Sequence, residues 1–406
     1  MSSVGTAALL PDPSSSLTIA PGRAVLRPTR RRLTTIWALL FFNVLSYSKL
    51  GTILPIPSTV GKLLTQGALV GALILALTIN PKVIVRPNVL LALFSVLAIT
   101  STMMSVRFVT LGTDYRAVRL VVFIAVLWLL TPWWGREDMA LLHIHFRVLL
   151  FAVGSVVVGA VIAHHKAFSY GGRLGGTIWP MPPTQVAHYA AELTGLAVLF
   201  WLCRMVSRRW MLAVVIPSVA VLILTHTRTA LIGIAAGLLV AGLSLFSSRR
   251  RARRAFAAMV VVAVAAWSVS PVISTWLARG ENSQELGQLT GRTKVWTLVF
   301  SNPRPEPNVI LGSGLSNDSF NGLAIDSSWV ATYEDQGIVG DVFDGAILLV
   351  LFLIALLRPR GPARAMALYL IVYCLVASFF ETGLGNASTY ALDLAVAASL
   401  LAIPSA

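Results

Sequence analysis

Residues 210–246 read WMLAVVIPSVAVLILTHTRTALIGIAAGLLVAGLSLF. Two apolar runs, 210–226 and 229–246, are separated by almost nothing, and Arg228 is the single charge in the stretch. Each run is close to the ~20 residues that a membrane-spanning helix needs. In lipid only a helix satisfies its own backbone N–H and C=O groups. The join is so tight that Arg228 must lie at the membrane surface, where the chain turns back. Outward from this hairpin the pattern repeats, with apolar runs at 33–50, 64–80, 88–106, 117–134, 146–163, 185–203, 256–275, 337–357, 365–381 and 386–403. The expected fold is an all-α polytopic membrane protein of about twelve transmembrane helices. Its expected layout is a disordered basic N-terminus over 1–32, nine helices over 33–275, a large extracytoplasmic loop over 276–336 and three helices over 337–406.

Composition agrees. The chain has 406 residues, 56% hydrophobic and 12% charged, and a mean hydropathy of +0.79. Soluble domains carry roughly a quarter charged residues, so a soluble enzyme and a disordered chain are excluded. Cys203 and Cys374 both sit inside apolar runs and read as small core residues, which excludes a disulfide scaffold. The basic block from Arg23 to Arg32 leads into a long span with no small-residue cleavage site, so no signal peptide is expected.

Lys and Arg number 32 against 16 acids, a net charge of +16. Orientation accounts for most of it. Arg23, Arg27 and Arg30 to Arg32, then Arg204, Arg208 and Arg209, then Arg249 to Arg251 with Arg253 and Arg254, then Arg358, Arg360 and Arg364 fall on one side if there are twelve spans. That side is cytoplasmic by the positive-inside rule, and both termini lie there. The clusters are short and sit where that rule wants them, so no nucleic-acid partner is expected.

Several arginines escape the rule. Arg116 and Arg119 lie in TDYRAVRL, Arg173 in GGRLGG, Arg228 in HTRTALIG and Arg292 in GRTKVW, all on the opposite side. Charge this close to hydrocarbon is costly and marks function by default; for any one arginine, snorkelling to headgroups is the ordinary alternative. The guanidinium fork suits phosphate, and five together suggest a diphosphate ligand. The glycines of GGRLGG and of GSGLSND (Gly312, Gly314) could let backbone N–H groups approach that anion, or simply make turns. Trp296, Val299 and Phe300 could form a helix on the membrane surface. His164, His165, His188 and His226 have no metal-ligand spacing and read as interfacial or hydrogen-bonded, with His226 near Arg228. Glu192, inside a span, is expected to pair with an arginine.

The most specific segment is Asp326-Ser327 followed by nine residues and Gly337-Ile338-Val339-Gly340. If it is helical, Asp326 and Gly337 share a face, small residues admit a neighbouring helix, and Asp326 projects from the outer end into a cleft or caps the helix.

GGRLGG with its following span, TRTALIG, GRTKVW, GSG and this last motif, in that order, resemble the O-antigen ligase and O-antigen polymerase superfamily of polytopic membrane glycosyltransferases. In the ligases the motif begins with His then Asn, Ser or Gln; here Asp326 stands in the histidine position and Ser327 follows. The resemblance implies glycan transfer or polymerisation from a polyprenyl-diphosphate-linked donor to a glycan or glycolipid acceptor hydroxyl. It implies a site on the outer face of the bacterial plasma membrane, with no metal and no cofactor. On that footing Asp326 is the base and Arg228, Arg292, Arg173, Arg116 and Arg119 bind the diphosphate. Gly337, Gly340 and His226 support the site, and Glu334 and Asp335 are fallback bases. A transporter or flippase for a lipid-linked oligosaccharide is the main rival; it predicts polar residues spread through many spans. Transferases that use a monophosphate donor carry an acid in the first outer loop, and LGTILPIPSTVGK has none. An envelope-assembly scaffold would make the outer arginines dispensable.

Overall fold

The computed structural model describes residues 22–48, 51–53, 55–107, 111–135, 139–246, 250–251, 253, 292–315 and 319–402. It is mostly helical. In chain order the helices are α1 (Gly22–Val44), α2 (Ser58–Ile79), α3 (Val89–Arg107), α4 (Leu111–Leu130), α5 (Ala140–Ile162), the single turn α6 (His164–Ala167), α7 (Pro183–Leu202), α8 (Arg208–Leu224) and α9 (Arg228–Phe246). After a gap come α10 (Arg292–Ser301), α11 (Glu306–Leu311), α12 (Ser328–Leu357), α13 (Pro362–Ser378) and α14 (Thr389–Leu401). Helices stand at every expected span except 256–275, which lies outside the described residues, as does the first part of the long loop. Among the described residues, five helices are long and apolar enough to cross a membrane: Ser58–Ile79, Tyr115–Trp133, Ala140–Ile162, Arg228–Phe246 and Ser328–Leu357.

One boundary differs by more than fraying. The span expected from 337 begins at Ser328, so the last nine residues assigned to the loop are helix. Apolar content alone placed the start at Gly337, but the chain there only interrupts the helix, with φ 67°. Asp326 is not the cap either; Ser327 holds that position and its carbonyl accepts from the Ala331 N–H at 3.0 Å.

Small residues set the packing of the spans. A side chain at Gly233 or Gly237 of α9 would strike the rings of Tyr373 and Tyr369 on α13, and one at Gly195 of α7 would overlap Tyr369. The Tyr369 hydroxyl donates to the Ala191 carbonyl at 2.8 Å, which pins α13 to α7. The connections gather at two ends of the bundle. At one end, segment 170–181 bonds to the 45–53 stretch and to the 224–227 turn: Ser48 N–H to Pro180 O and Ile53 N–H to Thr177 O, both 2.9 Å, and Leu174 N–H to Leu224 O, 3.0 Å. The same end carries 319–327 and 379–388, because Glu381 reaches His188 near the start of α7 and the Ser328 hydroxyl donates to Glu381 O at 2.7 Å and accepts from the Leu384 N–H at 3.2 Å. The starts of α1 and α8 and the α12–α13 turn, with their arginines, lie at the other end.

A two-stranded hairpin, β1 (Ser319–Phe320) and β2 (Leu323–Ala324), is the only sheet among the described residues. Asn321 and Gly322 make its turn with φ of 50° and 79°, the positive values a two-residue hairpin demands.

Candidate functional site at the mouth of the bundle

Helix α10 is held by an apolar patch. Val299 is fully buried and packs with Ile325, Val330 and Ala331, while Trp296 and Tyr333 lie against the patch. The expected helix around Trp296 therefore exists and docks on protein through Val299, with Phe300 outward. Docking α10 on the start of α12 carries Arg292, the first residue of α10, to Asp326. Their side chains form an ion pair at 3.5 Å, with Arg292 23% and Asp326 52% exposed. The Arg292 guanidinium also lies 6.0 Å from the centre of the Phe380 ring. Burial pushes the Asp326 carboxyl above its ordinary value; Arg292 opposes this and Glu381 adds to it.

Glu381 is a member of the site that the sequence did not single out. It follows the last turn of α13, and its backbone is fixed to Ser328, two residues beyond Asp326. Its side chain is 18% exposed and lies 3.9 Å from Nε2 of His188. His188 is buried and fixed from behind by a short hydrogen bond between its Nδ1 and the Tyr373 hydroxyl. This bears out the reading of His188 as hydrogen-bonded. The missed signal was FETGLG, an acid between the end of an apolar helix and a glycine-rich turn.

Arg173 joins the same field. Burial lowers its pKa from the ordinary guanidinium value, Tyr170 and Glu381 offset this, and Arg292 adds to the lowering. Its Nε donates to Thr225 O at 2.9 Å and its second fork nitrogen to the Thr227 hydroxyl at 3.0 Å. That ties GGRLGG to the turn carrying His226, which has a positive φ of 51°, and to Arg228, whose Nε is buried at the start of α9. Arg173, Arg292, Asp326 and Glu381 thus feel one another, and Arg228 adjoins them through Thr227.

Other expected members are engaged elsewhere. Arg119 donates to the Asn43 side chain at 3.2 Å and to the carbonyls of Asn43 and Ala387 at 2.9 and 3.2 Å. It joins α1, α4 and the turn before α14, which accounts for its place without a ligand. Arg116 is half-buried on α4. Glu334 is paired with Arg304 in a part-buried contact, and Arg304 also lies 5.0 Å from the Tyr333 ring. Asp335 is buried beneath a backbone crossing. There Ser313 N–H bonds Glu334 O at 3.0 Å and Gly314 N–H bonds Asp335 O at 2.9 Å.

The glycines make turns, the plainer of their two readings. Gly312 N–H donates to Asn308 O at 2.9 Å, so GSG makes a crossing and no anion cradle. A side chain at Gly312 would overlap Asp335 and Gln336, and one at Gly337 would overlap Ile310 and Gly312. Gly337 admits the end of α11 rather than a long helix, and Gly340 sits against Thr332 and Gln336 of its own helix. In GGRLGG, Gly172, Gly175 and Gly176 donate to Phe168, Ala167 and Met181.

The sequence showed no metal-ligand spacing, yet folding brings His145, Glu192 and Asp393 together, fully buried, with their ligand atoms within 4.8 Å of one another. His145 Nε2 is 3.0 Å from Asp393 and 3.9 Å from Glu192. Glu192 therefore meets a histidine and an acid, not the expected arginine. The Trp37 indole, which can only donate, bonds His145 Nδ1 at 3.3 Å. A neutral imidazole accepting there carries its proton on Nε2, the atom a metal would need. The trio suits shared protons better than a metal ion.

Fold and mouth define a polytopic helical membrane protein with arginines and carboxylates gathered at one end of its bundle. Residues 212–337 match the family model described as O-antigen ligase. The match runs from α8 through Arg228, Arg292 and Asp326 to Gly337, and it supports the superfamily resemblance read from the motifs. No curated protein matches the chain.

Proposed function

We propose that this protein transfers or polymerises a glycan from a polyprenyl-diphosphate-linked donor onto an acceptor hydroxyl, at the outer face of the bacterial plasma membrane and without metal. The observation that carries the reading is the ion pair of Arg292 with Asp326, both within the residues that match the O-antigen ligase model, with Arg173 in the field of Arg292 and Glu381 at the same mouth. Breaking the bond between the anomeric carbon and the diphosphate leaves the electron pair, and negative charge, on the leaving group. Arg292 and Arg173, with Arg228 beside them, are fixed cations for that charge as it develops. The acceptor oxygen loses its proton to Asp326 as it bonds to the anomeric carbon. A carboxyl pushed above its ordinary value is the stronger base. Arg116 and His226 line the approach, and Arg119 holds the frame.

The test is glycan transfer in membranes. Arg292→Ala and Asp326→Asn are expected to lose product while the protein is still inserted at normal levels; full activity in both would remove the assignment. Movement of the lipid-linked glycan across vesicles without any covalent product would favour the flippase reading. The lipid-linked glycans of a deletion strain separate the two transfers: single repeats accumulate without a polymerase, full chains without a ligase.

A further inference from the structure

Glu381 is the carboxylate that the proposed chemistry leaves without a task. Asp326 has a cation at 3.5 Å; around Glu381 the nearest ion partner is the His188 imidazole at 3.9 Å. Three contacts hold Glu381 in place. The Ser328 hydroxyl fixes its carbonyl, its own N–H bonds Ala377 O at 3.0 Å, and His188, itself held by Tyr373, stands behind the carboxylate. A rigid, mostly buried carboxylate that still reaches solvent accepts hydrogen bonds and gives none. Sugar hydroxyls are donors of that kind. Aromatic surface adjoins it: Phe379 is 49% exposed and packs on Trp329 at 5.8 Å between ring centres. Charge matters as well. Arg292 pairs with Asp326 and Arg173 feels Glu381; a bound diphosphate would take up both guanidinium charges and leave the two carboxylates with no cation to spare for a second anion.

Resting on the transferase reading above, we propose that Glu381 binds the hydroxyls of the acceptor sugar and that the site selects an acceptor whose reacting residue is uncharged. A uronic acid or a phosphorylated sugar there would bring an anion against two carboxylates, which is costly where water is scarce. His188 is the positioning residue that keeps the Glu381 carboxylate facing the mouth.

The experiment uses the full-length protein in proteoliposomes. The donor is the polyprenyl-diphosphate-linked oligosaccharide isolated from cells lacking this protein, and two acceptors are compared, one ending in a neutral hexose and one in a uronic acid. Glu381→Gln is expected to raise the KM for the neutral acceptor ~10- to 100-fold, as loss of charged hydrogen bonds does. Its kcat and donor KM should stay within about threefold, the mark of lost ground-state binding. Glu381→Asp should fall between, which keeps the test open if the glutamine variant inserts poorly. Wild type should strongly prefer the neutral acceptor, and Glu381→Gln should narrow that preference. A collapse of kcat at unchanged acceptor KM would overturn the proposal, and so would equal use of both acceptors by wild type. Either result leaves the transferase reading standing. Absence of product with wild type, whichever acceptor is offered, would sink both.

Discussion

Two clusters of ionisable side chains differ chiefly in what can reach them. At the mouth, Arg173, Arg292, Asp326 and Glu381 sit half-buried on segments between helices. In the middle of the bundle, His145, Glu192 and Asp393 come from α5, α7 and α14 with no exposed surface. The deep trio is the tighter set and looks more like a reaction centre by geometry alone. Yet no solvent-exposed side links it to a substrate, and polar groups of this kind join helices in lipid. The mouth is looser, holds opposite charges that still reach solvent and opens where segments between the long helices meet. For transfer between large substrates, access decides.

The largest expected effect tests the sealed cluster as glue. Asp393→Ala leaves the His145 N–H facing a carboxyl with no partner, and breaking a buried pair costs about 3–5 kcal/mol. The variant should yield little monodisperse protein in detergent; normal yield would break the contrast. Next, Arg292→Ala should cut glycan transfer by ~100-fold or more while leaving the melting temperature close to wild type. A parallel loss of stability would make the mouth structural too. Gly337→Ala comes third. The left-handed backbone and the overlap with Ile310 should cost about 1–3 kcal/mol, read as a lower Tm with reduced transfer, because the crossing at Asp335, on the helix that Asp326 precedes, would shift. An unchanged Tm would mean that the crossing does not brace the mouth.

The smallest effect is a pH dependence at Asp326. Its carboxyl is raised by burial, so ionising it costs the folded state more than the unfolded chain. Stability falls as pH climbs from the ordinary aspartate value, ~4, to the raised one, and stays lower above it. Asp326→Asn should therefore give a small Tm gain at neutral pH that vanishes on acidification below the ordinary value. A Tm loss at neutral pH that vanishes on acidification would reverse the sign and make the pair with Arg292 net stabilising.

Much of the helical order could be read from apolar runs, since span length and backbone satisfaction leave lipid-facing chain little choice. The start of α12 could not. Residues 328–336 are polar enough to resemble a loop, and they are helical because Val330 and Ala331 bury against Val299 of α10, a contact between distant segments. At the mouth, Arg173, Arg292 and Asp326 were visible as charges out of place, each beside a motif. Glu381 was not, because its neighbours His188 and Arg173 come from far along the chain. The glycines were legible in part. Gly337 does admit a neighbouring helix, the short α11, and of the two readings of GSG the turn holds, because Gly312 and Gly337 make room for each other where two backbones cross. The trio of His145, Glu192 and Asp393 has no local signature at all.

The hydroxyl of Ser328 grips the turn between α13 and α14 at two points, through the carbonyl of Glu381 and the amide of Leu384. Anyone grafting a foreign turn between α13 and α14 to change which sugar is accepted would need to preserve that carbonyl and that amide in register. With them kept, the new turn inherits its distance to Asp326 from the old one; without them, a turn of ideal shape would be presented to the wrong place.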